Sequence, residues 1–276
     1  MSISAKDVMK LREATGAGMM DCKKALTEAG GDMDKAVEIL RKKGQQVSEK
    51  RAEREANEGL ILTRLSDDGK KAAAIELNCE TDFVARNEDF QAQAQSFLNA
   101  AFENEIASVE DLLKEEVDGL TIEKHLEGMV GKIGEKIEIS RVEFVNTDGV
   151  LVDYIHPGNQ LAVLVEFDGD VKDENIGKDV AMQIAAMNPL AVTRDGVDAS
   201  VIDKELEIAK EQLINEGKPA EIAEKAAQGK LRRFYEERVL LEQKFVKDNG
   251  VSVKEYLESN NAPLVRSFKR MQLGEA

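Results

Sequence analysis

Residues 60–77, LILTRLSDDGKKAAAIEL, are matched 90 positions later by residues 150–167, VLVDYIHPGNQLAVLVEF, and this internal repeat indicates the architecture of the chain. The match needs no gap, and it continues from Asp89 and Phe90 to Asp179 and Val180. Each copy has an apolar run, a turn sequence, a second apolar run, a loop and a helical pattern. Two strands covered by a helix in each copy predict an α+β fold with two similar subdomains, residues 59–145 and 146–276.

The first 44 residues predict three short helices, which together form a ubiquitin-associated-type domain. Ser4 is placed to cap the first helix, and Asp32 is placed to cap the third, which we expect to end at Gly44. Residues 45–58 are almost entirely polar and charged. This composition predicts a charged linker, with a solvated helix as the alternative.

A helical insertion interrupts the second copy of the repeat at about residues 198–242. Apolar residues recur there at heptad spacing, and residues 215–219, NEGKP, break the pattern, which predicts an antiparallel helical hairpin. The remaining patterns predict a helix at residues 109–117, a strand at 137–145, a short helix near 253–258 and a final strand at 268–273.

Composition and charge exclude several classes of protein. The 276 residues suit two or three domains, and the net charge of −16 argues against a chain-wide surface for nucleic acid or anionic membranes. That charge divides into +3 for residues 1–54 and −19 for the rest. The two cysteines form no CxxC motif, and residues 1–10 have no apolar signal region. We therefore expect a cytoplasmic protein without membrane segments, disulfides or a zinc site.

The sequence offers little for bond-making chemistry. Its two histidines, His125 and His156, have no motif that supplies a partner, so we expect a surface position for the first and a turn for the second. Residues 131–134, GKIG, lack the spacing of a phosphate-binding loop. We expect no enzyme activity, no cofactor and no metal.

Two segments place apolar residues where a loop is expected to be polar. Met19 and Met20 are adjacent at the start of the second helix, so at least one is expected to be exposed, although Met20 also suits the core. Residues 78–87, NCETDFVARN, lie between a buried strand and a helix. In one interpretation Asp82 caps a short turn and Phe83 lies in the core. In the other, the two side chains form a wedge that enters a partner. The pattern leaves both interpretations open.

Three motifs in order along the chain resemble the bacterial elongation factor Ts family. They are residues 15–26, TGAGMMDCKKAL, residues 81–85, TDFVA, and residues 132–135, KIGE. The resemblance extends over nearly the whole chain. It implies a guanine-nucleotide exchange factor for elongation factor Tu, the GTPase that brings aminoacyl-tRNA to the ribosome, with no direct contact to nucleic acid.

The resemblance also implies a role for individual residues. The segment that disturbs the Mg²⁺ and phosphate site of the GTPase corresponds to Thr81, Asp82, Phe83 and Val84. Contacts to the GTPase domain are implied for Arg12, Met19, Met20 and Lys23, and further contacts for Ile133 and Gly134. His156 corresponds to a turn histidine that meets a second domain of the partner, but residues 157–160, PGNQ, depart from the Gly-Gly-Arg-like run that is common there.

On this interpretation the protein promotes GDP release and is expelled when GTP binds, because nucleotide and factor weaken each other's binding reciprocally. The alternative is a non-catalytic protein-binding adaptor that uses its ubiquitin-associated-type domain, for example on the ribosome. It explains residues 1–44 but gives no purpose to residues 81–84. A one-to-one complex with the partner and a two-to-two assembly both stay open.

Overall fold

The computed structural model describes residues 3–275, and its mixture of helices and sheets confirms the predicted α+β class. The N-terminal helices are α1 (Ala5–Thr15), α2 (Met19–Glu28) and α3 (Met33–Arg51). The Ser4 hydroxyl accepts a hydrogen bond from Asp7 N, and Asp32 caps α3 through Lys35 N. Both bonds satisfy backbone donors that a helix start leaves free.

Helix α3 does not end at Gly44, so the predicted helix end is wrong. The helix continues to Arg51 and covers half of the segment predicted as a linker. Gly44 is buried against α7 (Ile122–Ile133), where a Cβ atom on Gly131 would lie 2.8 Å from the Gly44 Cα. Close packing of two helix backbones at these glycines outweighs the low helix propensity of glycine. The domain bounds at residues 44, 58 and 145 stay predictions, and the outer bounds, 1 and 276, lie outside the described residues.

The first sheet has the order β1-β2-β5 and is antiparallel throughout. Its strands are β1 (Glu58–Leu65), β2 (Lys71–Cys79) and β5 (Ile137–Asn146). Helix α5 (Glu88–Glu103) covers one face with Phe90, Phe97 and Leu98. The middle strand, β2, is buried along almost its whole length, so it gives a rigid base to the loop that follows it.

Between α5 and β5 the chain forms α6 (Val109–Lys114), β3 (Glu116–Val117), β4 (Leu120–Thr121) and α7. The predicted helix at residues 109–117 therefore ends three residues early, because Val117 pairs with Leu120 in a tight hairpin. His125 is half-buried, and its Nε2 lies 2.7 Å from the Val117 carbonyl oxygen. The surface position predicted for His125 is wrong, since the ring supports this hairpin.

The second sheet repeats the arrangement of the first. Its order is β10-β7-β6, with β6 (Val150–Ile155), β7 (Leu161–Phe167) and β10 (Val265–Gln272), and α8 (Glu174–Met187) packs on it. Helices α9 (Ala199–Asn215) and α10 (Ala220–Arg238) pack on each other through small apolar side chains that include Ala209, Ala223 and Ala227. The chain then forms β8 (Lys244–Phe245), β9 (Asp248–Ser252) and α11 (Val253–Ser259) before β10.

The two sheets meet through equivalent residues of the repeat. Ile61 N donates to Asn159 O at 2.7 Å, and the equivalent Leu151 N donates to Gly69 O at 2.8 Å. A shared apolar cluster joins them, formed by Ile61, Ala72 and Ala74 of one copy and Leu151, Ala162 and Leu164 of the other. Each copy gives the other the same contacts, as in a two-fold symmetric dimer.

Candidate functional site

The Phe83 corner, residues 81–84, follows the end of β2, and all of it except Thr81 lies in the short helix α4 (Asp82–Ala85). Phe83 has 82% of its surface exposed, more than any other large apolar side chain described in residues 3–275. Ala85 is buried and Val84 is half-buried against the core of the first sheet. The interpretation of Phe83 as a core residue is therefore wrong, because α4 turns its other face to the core.

Hydrogen bonds hold the base of this corner. Thr81 is the N-cap of α4, and its hydroxyl donates to Glu135 Oε1 at 2.8 Å. The Cys79 thiol donates to the Thr81 carbonyl oxygen at 3.1 Å, and burial raises the pKa of this thiol to about 12. Asp82 is not the cap of the turn; its carboxylate pairs with Arg86 at 2.9 Å on the solvent side. The corner thus combines a fixed base with an exposed aromatic ring.

The third motif lies directly beside the corner. Gly134 ends α7 in the left-handed conformation, with φ of 79°, which favours glycine. This turn brings Glu135 to Thr81. Ile133, one residue earlier, is half-buried against the core of the first sheet. Ile133 and Gly134 therefore adjoin the corner, although they are 50 residues away in sequence.

Met19 and Met20 are exposed by 52% and 65% at the start of α2. Neither packs in the core, which the same helix supplies with Cys22 and Leu26. The alternative position of Met20 in the core is thus wrong. The neighbouring Lys23 is exposed as well.

The N-terminal helices contact the rest of the chain next to the KIGE motif, residues 132–135. A small groove of about 280 Å³ is lined by Met9, Arg12, Glu13, Gly16 and Lys132. Gly16 has a φ of 66°, in the left-handed region that favours glycine, and the end of the Lys132 side chain lies beside it. Arg12 and the exposed Met9 therefore lie beside the KIGE motif.

His156 lies in the turn between β6 and β7, where its ring is exposed and its Nδ1 lies 2.9 Å from the Tyr154 hydroxyl. A larger groove of about 480 Å³ separates this turn from the Phe83 corner, and its lining includes Asp82, Arg86, Gly158 and Gln160. The backbone bond from Ile61 N to Asn159 O fixes the turn against the first sheet. The structure therefore places the His156 turn and the Phe83 corner on opposite sides of one groove.

Comparison with known proteins decides the family. The family described as Elongation factor TS matches residues 80–275. A protein named Elongation factor Ts from Amoebophilus asiaticus is 51% identical over 99% of this chain and 100% of its own length. Proteins of the same name from Christiangramia forsetii and Prosthecochloris aestuarii are 48% and 47% identical, each over 99% of both chains.

The chain belongs to the elongation factor Ts family. The resemblance of the three motifs to this family is thus confirmed, and the name places the chain among the translation elongation factors of protein biosynthesis. None of the helices in the described part of the chain combines the length and apolar character that crossing a membrane requires. Within residues 3–275, no three His, Cys, Asp or Glu side chains are grouped so that they could hold a metal ion.

The site includes residues whose contacts the sequence does not predict. Glu80 accepts hydrogen bonds from Arg51 at 2.9 Å and from Arg54 at 3.0 Å, and Glu135 binds Thr81. The pairing of Glu80 with two arginines 26 and 29 residues earlier depends on the extension of α3, which the glycine at position 44 concealed. Met9 could have been found, because it precedes Arg12 by three residues and so lies on the same face of α1.

Proposed function

We propose that this chain is a guanine-nucleotide exchange factor for elongation factor Tu and works without bond-making chemistry. In this proposal the Phe83 corner enters the GTPase beside its Mg²⁺ and phosphate site, disturbs that site and promotes GDP release. The exposure of Phe83 on a braced corner is the observation that carries the proposal. Phenylalanine is one of the side chains enriched at protein interfaces relative to the rest of the surface.

The other implied contacts extend from this corner. Met19, Met20, Arg12 and Lys23 are exposed on the N-terminal helices, and we assign them to the GTPase domain of the partner. Ile133 and Gly134 adjoin the corner and share this assignment. His156, on the far side of the groove, would meet a second domain. The methionine side chains suit such a surface because they are flexible and polarizable.

Exchange by such a surface follows from reciprocal binding. Tight nucleotide binding needs the phosphate and Mg²⁺ contacts together, so a factor that separates them lowers nucleotide affinity. By thermodynamic linkage, nucleotide lowers the affinity of the factor by the same ratio. Incoming GTP therefore expels the factor, which acts again on the next complex in the cytoplasm.

A release assay tests the proposal. Elongation factor Tu is loaded with fluorescently labelled GDP in the presence of Mg²⁺ and mixed with an excess of the chain and of unlabelled GDP. We expect loss of the label at a rate that increases with the concentration of the chain and then saturates. A rate that stays at the spontaneous value over the whole concentration range would contradict the proposed function.

A further inference from the structure

Two glutamates extend the hydrogen-bond ladder between β2 and β5 beyond its last regular pair, which ends at Ile137. Lys136 N donates to Glu80 Oε1 at 2.6 Å, and Thr81 N donates to Glu135 Oε2 at 3.0 Å. The segment after β2 and the segment before β5 thus each supply a carboxylate that accepts a hydrogen bond from a backbone N–H of the other segment. We call this reciprocal pair the glutamate bracket.

The bracket uses both hydrogen-bond donors of Thr81. Its N–H and its hydroxyl each donate to one oxygen of Glu135. A threonine at an N-cap usually turns its hydroxyl toward the free N–H groups of its own helix, but here Glu135 binds it. Helix α4 has four residues, too few to be stable alone, so its orientation depends on contacts with the rest of the chain.

The other carboxylate of the bracket connects the corner to the N-terminal helices. Glu80 lies between Lys136 N and the guanidinium groups of Arg51 and Arg54. Burial by itself would raise the pKa of Glu80, but these three donors outweigh it and hold the pKa below its usual value. Glu80 therefore stays ionised at neutral pH, and its hydrogen bonds are stronger than those between neutral groups.

From this geometry we infer that Glu80 and Glu135 are positioning residues that fix the direction in which Phe83 enters the partner. The inference rests on the proposed exchange function. Neither carboxylate needs to touch the partner, because each acts through the backbone that carries Phe83. A ring that is already oriented loses little conformational freedom on binding, and that saving increases the rate of the step in which the ring acts.

The order of the corner can be measured without the partner. The chain contains no tryptophan, so the variant Phe83→Trp places a single indole fluorophore on the corner. Time-resolved fluorescence anisotropy then reports how freely that ring moves on its base. In this background Glu135→Ala is compared with Glu135→Gln, which keeps one acceptor oxygen for Thr81.

Glu143→Ala is the matched control. Glu143 lies on β5, the strand that follows Glu135, is also partly buried, and pairs with Lys269 at 3.1 Å, about 20 Å along β5 from the bracket. We expect Glu135→Ala to lower the residual anisotropy of the indole and Glu135→Gln to restore part of it. Glu143→Ala is expected to leave it unchanged. Equal anisotropy in Glu135→Ala and Glu143→Ala would contradict the claim that the glutamate bracket orders the corner.

Exchange kinetics with the natural Phe83 test the consequence. At saturating concentrations of the chain, we expect Glu135→Ala to lower the maximal rate of GDP release about tenfold, the effect of losing a charge-assisted hydrogen bond. The half-saturating concentration should change less, because the surface around Met19 and Met20 still binds the GTPase. Glu135→Gln should recover part of the rate.

The results separate the inference from the function on which it rests. An unmodified chain that fails to accelerate release contradicts the exchange function, while the anisotropy still decides whether the bracket orders the corner. Lower anisotropy with an unchanged maximal rate overturns the positioning role. A lower anisotropy together with a lower maximal rate in Glu135→Ala, with both unchanged in Glu143→Ala, supports the positioning role.

Discussion

At the scale of single residues, Phe83 and Phe97 have the same side chain in opposite environments. Phe97 is fully buried under the first sheet, whereas Phe83 is exposed by 82%. Truncation of a buried phenylalanine costs about 3–5 kcal/mol of stability, and truncation of a surface residue usually changes stability by less than about 0.5 kcal/mol. The two residues therefore allow stability and function to be separated.

We predict that Phe83→Ala lowers the maximal rate of GDP release by at least about tenfold, a loss of about 1.4 kcal/mol of stabilisation in the release step. The melting temperature should stay within about 2 °C of the unmodified chain. Phe97→Ala should instead melt many degrees lower. Stopped-flow release and thermal unfolding measure the two effects. A marked loss of melting temperature in Phe83→Ala would show that the ring supports the fold.

At the scale of elements, the crossing of α3 and α7 decides where the N-terminal helices lie. Gly44 and Gly131 let the two backbones approach closely, and the extension of α3 carries Arg51 to the glutamate bracket. The N-terminal helices are therefore held against the core by packing and by ion pairs. The segment predicted as a linker is partly a structural connection to the Phe83 corner.

We predict that Gly131→Ala destabilises the chain by about 1–3 kcal/mol, because its Cβ would lie 2.8 Å from the Gly44 Cα. Gly128 in the same helix is the control, since among the described residues a Cβ there meets no atom within 4 Å. Gly128→Ala should stabilise the chain by about 0.5–1 kcal/mol, the helix-propensity difference. Urea unfolding followed by circular dichroism compares them, and equal effects would contradict the close crossing.

Much of the fold could be predicted from the sequence, but only part of the site. The repeat predicts β1, β2, β6 and β7, since apolar alternation and turn residues are local signals. The exposure of Phe83 could not be predicted, because an apolar residue in a four-residue helix fits either face. The partners of Glu80 and Glu135 could not be predicted either, since 26 to 56 residues separate them and tertiary packing alone brings them together.

At the scale of the whole molecule, the two copies of the repeat share one apolar cluster. Ile61 and Leu151 are equivalent positions, and each donates its backbone N–H to the turn of the other copy. The shared cluster places the His156 turn opposite the Phe83 corner. The relative position of these two candidate contact sites therefore depends on the packing between the sheets.

We predict that Leu151→Ala destabilises both sheets together, by about 2–5 kcal/mol. Hydrogen exchange followed by mass spectrometry should show faster exchange in β2 as well as in β7, because cooperative units open together. Faster exchange confined to residues 150–167 would show that the two copies are independent.

If the chain is a catalyst of nucleotide exchange, as proposed, one molecule of it must release GDP from many molecules of the GTPase in turn, and multiple-turnover release measures this. Elongation factor Tu loaded with labelled GDP is mixed with a small fraction of its amount of the chain, in Mg²⁺ and excess unlabelled GDP. We expect complete release of the label, at a rate proportional to the concentration of the chain. Release that stops when one GDP has been lost per chain, or that stays at the spontaneous rate, would contradict it and would favour a protein-binding adaptor.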